Sequence, residues 1–217
     1  MARYSDLIPD VRSEAPEAPS SVIESHARRA VIEFCRRSRF WRERLEIPLV
    51  EDERAYDLRI RPEGRCDQIM RARYVTDKSR RPLGHKQHGD IIVTDRPDRP
   101  GEPEYFSLDP AGQSIHLFPT PGGMSFKPAD NPRIELRVVA VPTRRSRQFP
   151  DKLFEQWYEG LIAGTLASLL NVPSKPWTHA ELAAARNHQF NQVITTARQA
   201  ATADGWAPGR HNFRRWI

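Results

Sequence analysis

The residues whose types and spacing could support metal chemistry lie in one loop, GHKQHGD. His85 and His88 stand three positions apart, and Asp90 follows closely. Imidazole and carboxylate groups bind zinc, and a zinc-activated water would make this loop the centre of a hydrolase. A zinc site needs further protein ligands at a recognisable spacing, and none stands nearby. We therefore predict a solvated polar loop and keep a hydrolase only as a minor hypothesis.

Motifs that cradle phosphates or activate a nucleophile are absent from the sequence. Neither G-x-x-x-x-G-K-[ST] nor G-x-G-x-x-G occurs, and neither H-E-x-x-H nor a nucleophile elbow is found. Carboxylate groups at residues 51–53 and 95–98 lie among arginines, which is typical of charge balance on a surface. We therefore expect a protein that is not an enzyme and that uses no cofactor and no metal.

The best basic-aromatic cluster lies in the segment RARYVTDKSRR. A strand with alternating arginines beside Tyr74 could follow a phosphate backbone. Asp77 interrupts the run, and no groove-reading motif accompanies it. A small nucleic-acid-binding module is therefore the alternative function, and its candidate polyanion contacts are Arg71, Arg73, Arg80 and Arg81.

The overall charge is basic, with 34 Lys and Arg against 28 Asp and Glu and a formal net charge of +6. Only five of the basic residues are lysine. Arginine suits bidentate contacts with carboxylates and phosphates at interfaces, but an arginine-rich coding bias would give the same count. This basicity permits contact with a polyanion without establishing it.

Nothing in the sequence predicts a membrane-spanning or secreted protein. No run of about 18 apolar residues occurs, and the N-terminus lacks the basic and apolar blocks of a signal peptide. Cys35 and Cys66 are far apart and fit no metal or redox spacing. Cys35 falls on the predicted apolar helix face, so we expect it to be a buried thiol in a reducing compartment.

A strong helix is predicted after a proline-rich, acidic lead-in over residues 1–19, which we expect to be extended apart from a short turn around Tyr4. An apolar stripe of helical period begins just beyond Ser21 and ends near Arg39. Ser21 and Glu24 have the spacing of a capping box.

A helical hairpin is predicted over residues 150–198, with a tight KPW turn between its arms. Asp151 can cap the first arm, and Thr178 and Glu181 have capping-box spacing at the second. Small residues recur three and four positions apart on one face of the first arm: Gly160, Gly164, Ala167 and Ser168. A face of this kind indicates close packing inside a soluble bundle or, alternatively, a subunit interface.

The middle of the chain is broken by prolines into short β-like runs, at residues 56–60, 68–75, 104–108, 114–118 and 134–141. The turn Asp109-Pro110-Ala111-Gly112 predicts a hairpin. The predicted fold class is α+β: a helical bundle with an inserted small antiparallel β-rich region and an extended C-terminal arm. The predicted parts are a lead-in (1–19), the helical bundle (20–46 and 148–204), the β-rich insertion (47–147) and the arm (205–217).

The arm is rich in large apolar and arginine side chains, which are costly to leave in water and dominate interface anchors. We expect it to dock into a partner through Trp206, Arg210, Phe213, Arg214, Arg215, Trp216 and Ile217.

Two short patterns resemble those of head-to-tail adaptor (connector) proteins of tailed bacteriophages, of the tail tubular protein A type. One is the F-C-x-x-[ST]-x-x-W run of Phe34, Cys35, Ser38 and Trp41. The other is the L-x-x-x-P-x-K-P-W turn of Leu169, Pro173, Lys175, Pro176 and Trp177. The order of the helices and of the strand at 134–141 agrees with this resemblance.

The resemblance implies a structural virion protein of the neck, between capsid and tail, assembled in the host cytoplasm. Such proteins form a ring, usually of twelve copies, under the portal, where they extend the DNA channel and attach tail components. The implied partners are the portal protein, a downstream tail or nozzle protein, further copies of the chain, and packaged DNA in the lumen without sequence readout. By the same resemblance, residues 205–217 would be the portal-docking arm, and the β-rich portion would face the tail.

Overall fold

The helical and strand patterns give a mixed α+β fold in the computed structural model, which describes residues 1–60, 63–87, 100–124 and 126–203. The described residues form four α-helices: α1 (Ile8–Glu14), α2 (Ser20–Ser38), α3 (Asp151–Leu169) and α4 (Ala180–Ala203). They also form the strands β1 (Ala2–Arg3), β2 (Arg42–Pro48), β3 (Ala55–Asp57), β4 (Gly64–Val75), β5 (Arg80–Pro82), β6 (Gly84–His85), β7 (Tyr105–Leu108), β8 (Ser114–Phe118), β9 (Arg133–Pro142) and β10 (Gln148–Phe149).

Strand β9 lies inside a four-stranded antiparallel sheet of order β2-β9-β4-β5. Its alternating sequence buries Ile134, Leu136 and Val138 completely. Glu135 and Arg137 point to the opposite face, because successive side chains of a strand alternate between faces. The strand predicted over residues 134–141 is confirmed, but it is half-buried only up to Val138, since Val139 and Val141 are buried as well.

A second four-stranded sheet has the order β3-β8-β7-β6. Its β7–β8 hairpin has the predicted turn, in which the Gly112 amide donates to the Asp109 carbonyl at 2.8 Å. Gly112 has a φ of +69°, and a Cβ there would stand 2.0 Å from the carbonyl oxygen of Cys66. Only glycine fits, because the turn approaches the bulged strand β4 so closely. The short β6–β7 pair is parallel, which differs from the all-antiparallel region predicted from the sequence.

The N-terminal lead-in contains the predicted short turn near Tyr4 but is otherwise not the extended segment that the sequence predicts. After β1 pairs with β10, a 3-10 turn over Tyr4–Leu7 continues directly into α1. Pro9 lies in the first turn of α1, where a missing amide hydrogen costs nothing. The segment is folded because it buries large side chains, and the Tyr4 hydroxyl lies 2.8 Å from Ser146 Oγ inside the core.

The first long helix ends near Arg39 as predicted, and residues 42–46 of the predicted bundle part (20–46) form a strand instead. Helix α2 finishes at Ser38, and Arg39 adopts a left-handed conformation with φ 54°. The following RERLEIP segment alternates with period two and becomes β2 along β9, with Leu45 opposite Leu136. The chain does fold back onto the helices at Phe40, whose ring packs edge-on against Trp157 at 5.4 Å.

The predicted side-chain caps of α2 and α3 are wrong. A proline occupies each N-cap position, Pro19 and Pro150, and no side-chain hydrogen bond caps either helix. Asp151 is instead the first residue of α3, and its carboxylate pairs with the amino group of Met1. An acidic group in the first turn still interacts favourably with the helix dipole.

The predicted capping box at the start of α4 is wrong as well. Nδ1 of His179, the residue before the helix, accepts the Leu182 amide at 3.2 Å. The Thr178 hydroxyl donates to the Val172 carbonyl at 2.5 Å and so closes the interhelical turn instead.

The buried apolar side chains form one continuous cluster through helices and sheets. Helix α2 contacts α3 and α4 on one side and β9 on another. Its fully buried Val31 and Phe34 belong to the same cluster as Val138 of β9 and Leu161 of α3. The helices and the β-rich part therefore share a core.

Helices α3 and α4 approach closely at the two glycines of α3. A Cβ at Gly160 would stand 2.5 Å from Cγ1 of Val193, and one at Gly164 would stand 2.7 Å from the Phe190 ring. A glycine inside a helix costs about 1 kcal/mol relative to alanine. The close packing of Val193 and Phe190 against the bare backbone explains why both positions are glycine.

A polar contact joins α2 to the same part of α3. Nδ1 of His26 lies 2.9 Å from Oγ of Ser168, and that hydroxyl donates to the Thr165 carbonyl at 3.0 Å. With its proton used there, Ser168 accepts from His26, which selects the Nδ1–H tautomer of the neutral ring. Burial, and next the charge of Arg29, lower the pKa of His26 below its ordinary value.

We predict that Gly160→Ala destabilises the protein although alanine is the better helix former. Overpacking against Val193 costs about 1–3 kcal/mol, whereas the helix propensity gain is about 1 kcal/mol. The measurement is urea unfolding of Gly160→Ala, Val193→Ala and the double variant. Because Val193→Ala removes the methyl groups that clash, the two effects should be less than additive. Stabilisation by about 1 kcal/mol in Gly160→Ala alone would contradict the close approach.

We also predict that stability falls as the pH drops below about 6.5, the ordinary pKa of histidine. The unfolded chain takes up a proton at this position before the folded chain does, since the folded-state pKa of His26 is lowered. Urea unfolding followed from about pH 7.5 down to pH 5 should show the decline, and His26→Gln should flatten it. His188→Gln, at an exposed position of α4, is the matched control and should keep the wild-type slope. An unchanged slope in His26→Gln would exclude this assignment.

Candidate binding surfaces

Three of the four arginines predicted to contact a polyanion share the outer face of the first sheet. The strand register places Arg71 opposite Arg137 and Arg73 opposite Glu135. Arg80 Nη2 reaches Glu135 Oε1 at 2.7 Å, and Arg44 Nη2 approaches the same atom at 3.5 Å. The Glu135 side chain is only 11% exposed, so it lies beneath the guanidinium groups. We call Arg44, Arg71, Arg73, Arg80 and Arg137 the arginine face.

Arg81 does not join the arginine face. It stands opposite Tyr74, one position out of phase with Arg80, and so points to the other side of the sheet. Its Nη2 pairs with Glu102 Oε2 at 2.7 Å, and its guanidinium lies 4.9 Å from the centre of the Tyr74 ring. The structure therefore divides the predicted cluster between two faces and pairs both Arg80 and Arg81 with carboxylates.

A second arginine-rich surface, which the sequence reasoning missed, is a groove of about 730 Å³ along the outer side of α2. We call it the α2 groove. Six arginines and one glutamate line it: Arg28, Arg29, Arg36, Arg37, Arg65, Arg144 and Glu33. The only signal in the sequence is the pair of double arginines on α2, which lie off the apolar stripe; Arg65 and Arg144 come from distant segments.

Half of the groove arginines have internal partners. Arg28 donates through Nε to the Ser146 carbonyl at 3.0 Å and lies over the Tyr4 ring. Arg36 pairs with Asp67 at 3.1 Å. Arg37 pairs with Glu33 at 2.8 Å and also donates to the Asn191 side chain. In the part of the chain that the structure describes, no carboxylate pairs with the other three: Arg29, Arg65 and Arg144.

An acidic surface surrounds Tyr158 on α3. The phenol donates to the carboxylate of Asp10, and Asp6 and Glu159 lie near enough to act on it electrostatically. Burial, with the hydrogen bond to Asp10 and these negative charges, raises the pKa of Tyr158 to about 12. All three carboxyl groups belong to exposed residues. We call Asp6, Asp10 and Glu159 the Tyr158 acidic surface.

The small-residue face of α3 has two environments. Gly160 and Gly164 lie beneath α4, as described above. Ala167 and Ser168 are half-buried and line an open groove of about 410 Å³ between α2, α3 and α4. The geometry at the two glycines is that of close packing within the chain.

Little supports chemistry at the predicted histidine loop. His85 is exposed, and its ring centre lies 5.2 Å from that of Phe106; His88 and Asp90 lie outside the described residues. No group of three or more His, Cys, Asp or Glu that could hold a metal occurs in the described part of the chain. Both cysteines are buried and free, and burial with the charge of Asp67 raises the pKa of the Cys66 thiol to about 12.

The docking-arm residues predicted from the sequence lie outside the described residues: Trp206, Arg210, Phe213, Arg214, Arg215, Trp216 and Ile217. The structure describes the chain up to Ala203, the last residue of α4, which precedes the arm. The last turn of α4 is anchored because Arg42 Nη1 donates to the Ala201 carbonyl at 2.6 Å, and Ala197 and Ala201 are buried. The arm therefore departs from a helix end that is tied to the first sheet.

Among the helices that the structure describes, none has the length and apolar character needed to cross a membrane.

Comparison with known proteins identifies one family. The SU10 adaptor protein family matches residues 2–212, nearly the whole chain, while no curated protein matches. This is a family of structural phage adaptors and not of enzymes, and it implies a place in the virion neck and interaction with portal and tail proteins. The chain belongs to the SU10 adaptor protein family and is a head-to-tail adaptor of a tailed bacteriophage.

Proposed function

We propose that the protein forms a ring, of twelve copies, beneath the portal vertex, and that this ring extends the DNA channel and carries the attachment site for the tail. The family match over residues 2–212 carries the proposal. The β-rich part, residues 47–147, faces the tail components in this arrangement. The packaged DNA passes through the lumen and meets the ring through shape and charge alone.

The contact with the portal is assigned to the C-terminal arm, residues 205–217. Its three arginines and three aromatic residues are of the types that most often anchor interfaces. The anchored end of α4 supports this assignment, since a segment that leaves a fixed helix end presents its anchors from a defined position. Binding then orders fewer degrees of freedom than it would for an arm on a loose helix.

We predict that deletion of residues 210–217 abolishes binding to the portal and leaves the folded body intact. Loss of several aromatic and arginine anchors typically costs more than 2 kcal/mol each, so affinity should fall by at least about a hundredfold. Binding is measured by surface plasmon resonance on assembled portal, and the thermal unfolding midpoint serves as the folding check. Two triple-alanine variants separate the anchor types: one at Trp206, Phe213 and Trp216, the other at Arg210, Arg214 and Arg215. Unchanged portal affinity in the truncated chain would remove the arm assignment.

The alternative function, a nucleic-acid-binding module built on Arg71–Arg81, receives little support from the geometry. Arg80 and Arg81 are paired with carboxylates, and Arg81 lies on the opposite face from Arg71 and Arg73. Phosphate binding at these residues would first have to displace Glu135 and Glu102. Such a surface is weaker than its arginine count suggests.

We predict that the quadruple variant Arg71→Ala, Arg73→Ala, Arg80→Ala and Arg81→Ala leaves portal binding unchanged. Affinity for duplex DNA, measured by fluorescence anisotropy over a salt series, should be weak in the wild type. The slope of log affinity against log salt gives the number of counterions released on binding. This number should differ by less than about one between the variant and the wild type. A loss of three or four counterions would instead establish that these arginines contact phosphates.

A further inference from the structure

We propose that the α2 groove and the Tyr158 acidic surface are the two halves of one subunit contact, in which the groove of one copy receives the acidic surface of the next. This proposal rests on the ring formation proposed above and names the surfaces that meet. It places Asp10 and Glu159 of one copy against Arg29, Arg65 and Arg144 of its neighbour.

The first observation is the unbalanced charge of the α2 groove. Arg29 and Arg144 are exposed and Arg65 is half-buried, and none of them has a carboxylate partner among the described residues. A half-buried guanidinium is desolvated without the compensation that an ion pair would give. A carboxylate supplied from outside would restore that compensation through bidentate hydrogen bonds.

The second observation is the complementary imbalance at the Tyr158 acidic surface. No lysine or arginine of the described ranges forms an ion pair with any of its three carboxylates. The Asp6 carboxylate accepts a hydrogen bond from the Arg3 amide. The Asp10 carboxylate accepts one from the Tyr158 hydroxyl. Both of these bonds hold a carboxylate in place and leave its charge uncompensated. No salt bridge in the described residues joins this surface to the groove of the same chain.

The third argument is symmetry. A contact between two different surfaces of identical chains is heterologous. A pair of copies joined in this way still has one unused groove at one end and one unused acidic surface at the other. Repetition of such a contact closes into a ring when the rotation allows it, and otherwise gives a filament. A two-fold dimer would need a self-complementary patch, which neither the basic nor the acidic surface provides.

Charge excludes the most obvious occupant from the same chain. The C-terminal tail carries Arg210, Arg214 and Arg215 against a single Asp204, so the arginine-lined groove repels it. A nucleic-acid backbone would be attracted to the groove, but it would leave the acidic surface without a role. The second copy accounts for both imbalances.

The test is a charge swap. The groove-reversed variant carries Arg29→Glu and Arg144→Glu, the acid-reversed variant carries Asp10→Lys and Glu159→Lys, and the combined variant carries all four changes. Each reversed variant should self-associate at least about tenfold more weakly than the wild type, because like charges then meet. The combined variant restores opposite charges across the contact and should recover most of the association. It also keeps the wild-type net charge of +6, so its recovery cannot come from net charge.

Association is measured by sedimentation velocity at low salt and by the number of copies bound to each portal. Arg145→Glu with Arg147→Glu is the matched basic control, because both residues are exposed neighbours of Arg144 that do not line the groove. Asp57→Lys with Glu181→Lys is the matched acidic control at exposed positions. Both controls should associate as the wild type does. If Asp10→Lys impairs folding, Asp10→Asn with Glu159→Lys keeps an acceptor for Tyr158 and still removes the charge.

The outcomes separate this contact from the proposed function. If the chain binds portal through its arm but the reversals leave association and occupancy unchanged, the contact is overturned and the ring proposal stands. A second contrary outcome combines two observations: salt-sensitive DNA binding is lost only in the groove-reversed variant, and the acid-reversed variant associates normally. This outcome would identify the groove as a nucleic-acid site and overturn the contact. A combined variant that fails to recover, although folded, overturns it too.

Discussion

Strand β9 is the element on which the rest of the structure depends. It pairs with β2 and β4 along both edges and so supplies the inner ladder of the first sheet. Its inner face is buried from Ile134 to Val138, residues 138–141 are buried on both faces, and α2 contacts the strand. An unpaired inner strand would leave its backbone groups without partners, at a cost comparable to a lost hydrogen bond for each. The N-terminal segment reaches the chain just beyond β9, where Tyr4 contacts Ser146. One strand therefore couples the helices, the sheet and the N-terminal segment.

Strand β9 also determines where the charged surfaces lie. Glu135, near the start of β9, pairs with Arg80 and Arg44 of the arginine face. The last residue of β9, Pro142, and Arg144 just beyond it line the α2 groove. Arg65 enters the groove because its position in β4 lies opposite Val141. Since one buried cluster connects these elements, the groove and the Tyr158 acidic surface are held on the same core. A subunit contact between fixed surfaces avoids the entropy cost of ordering loops on binding.

The sequence predicted the elements whose signals are local and missed those that depend on distant partners. The alternation of β9, the long helices and the 109–112 turn follow from short-range patterns and are present in the structure. Strand β2 was missed because RERLEIP follows a helix directly, and only its pairing with β9 makes it a strand. Helix α1 was missed because the lead-in is rich in proline, although a first-turn proline such as Pro9 is compatible with a helix. The α2 groove could not be predicted, since residues 28–37, 65 and 144 meet only in the folded chain.

Whether an arginine already pairs with a carboxylate of its own chain indicates whether its charge is free to bind a partner. The number of arginines in a segment indicates this less well. Arg80 and Arg81 belong to the best basic-aromatic cluster of the sequence, yet each pairs with a carboxylate of its own chain. Arg29, Arg65 and Arg144 are scattered in the sequence and have no such partner in the described residues. An internal ion pair must be broken, and its carboxylate hydrated again, before its arginine can bind elsewhere. The free energy of these steps offsets much of the free energy gained by the new interaction. An adaptor must hold several partners, and we therefore propose that its unpaired charges contribute more to association than the arginines already paired within the chain.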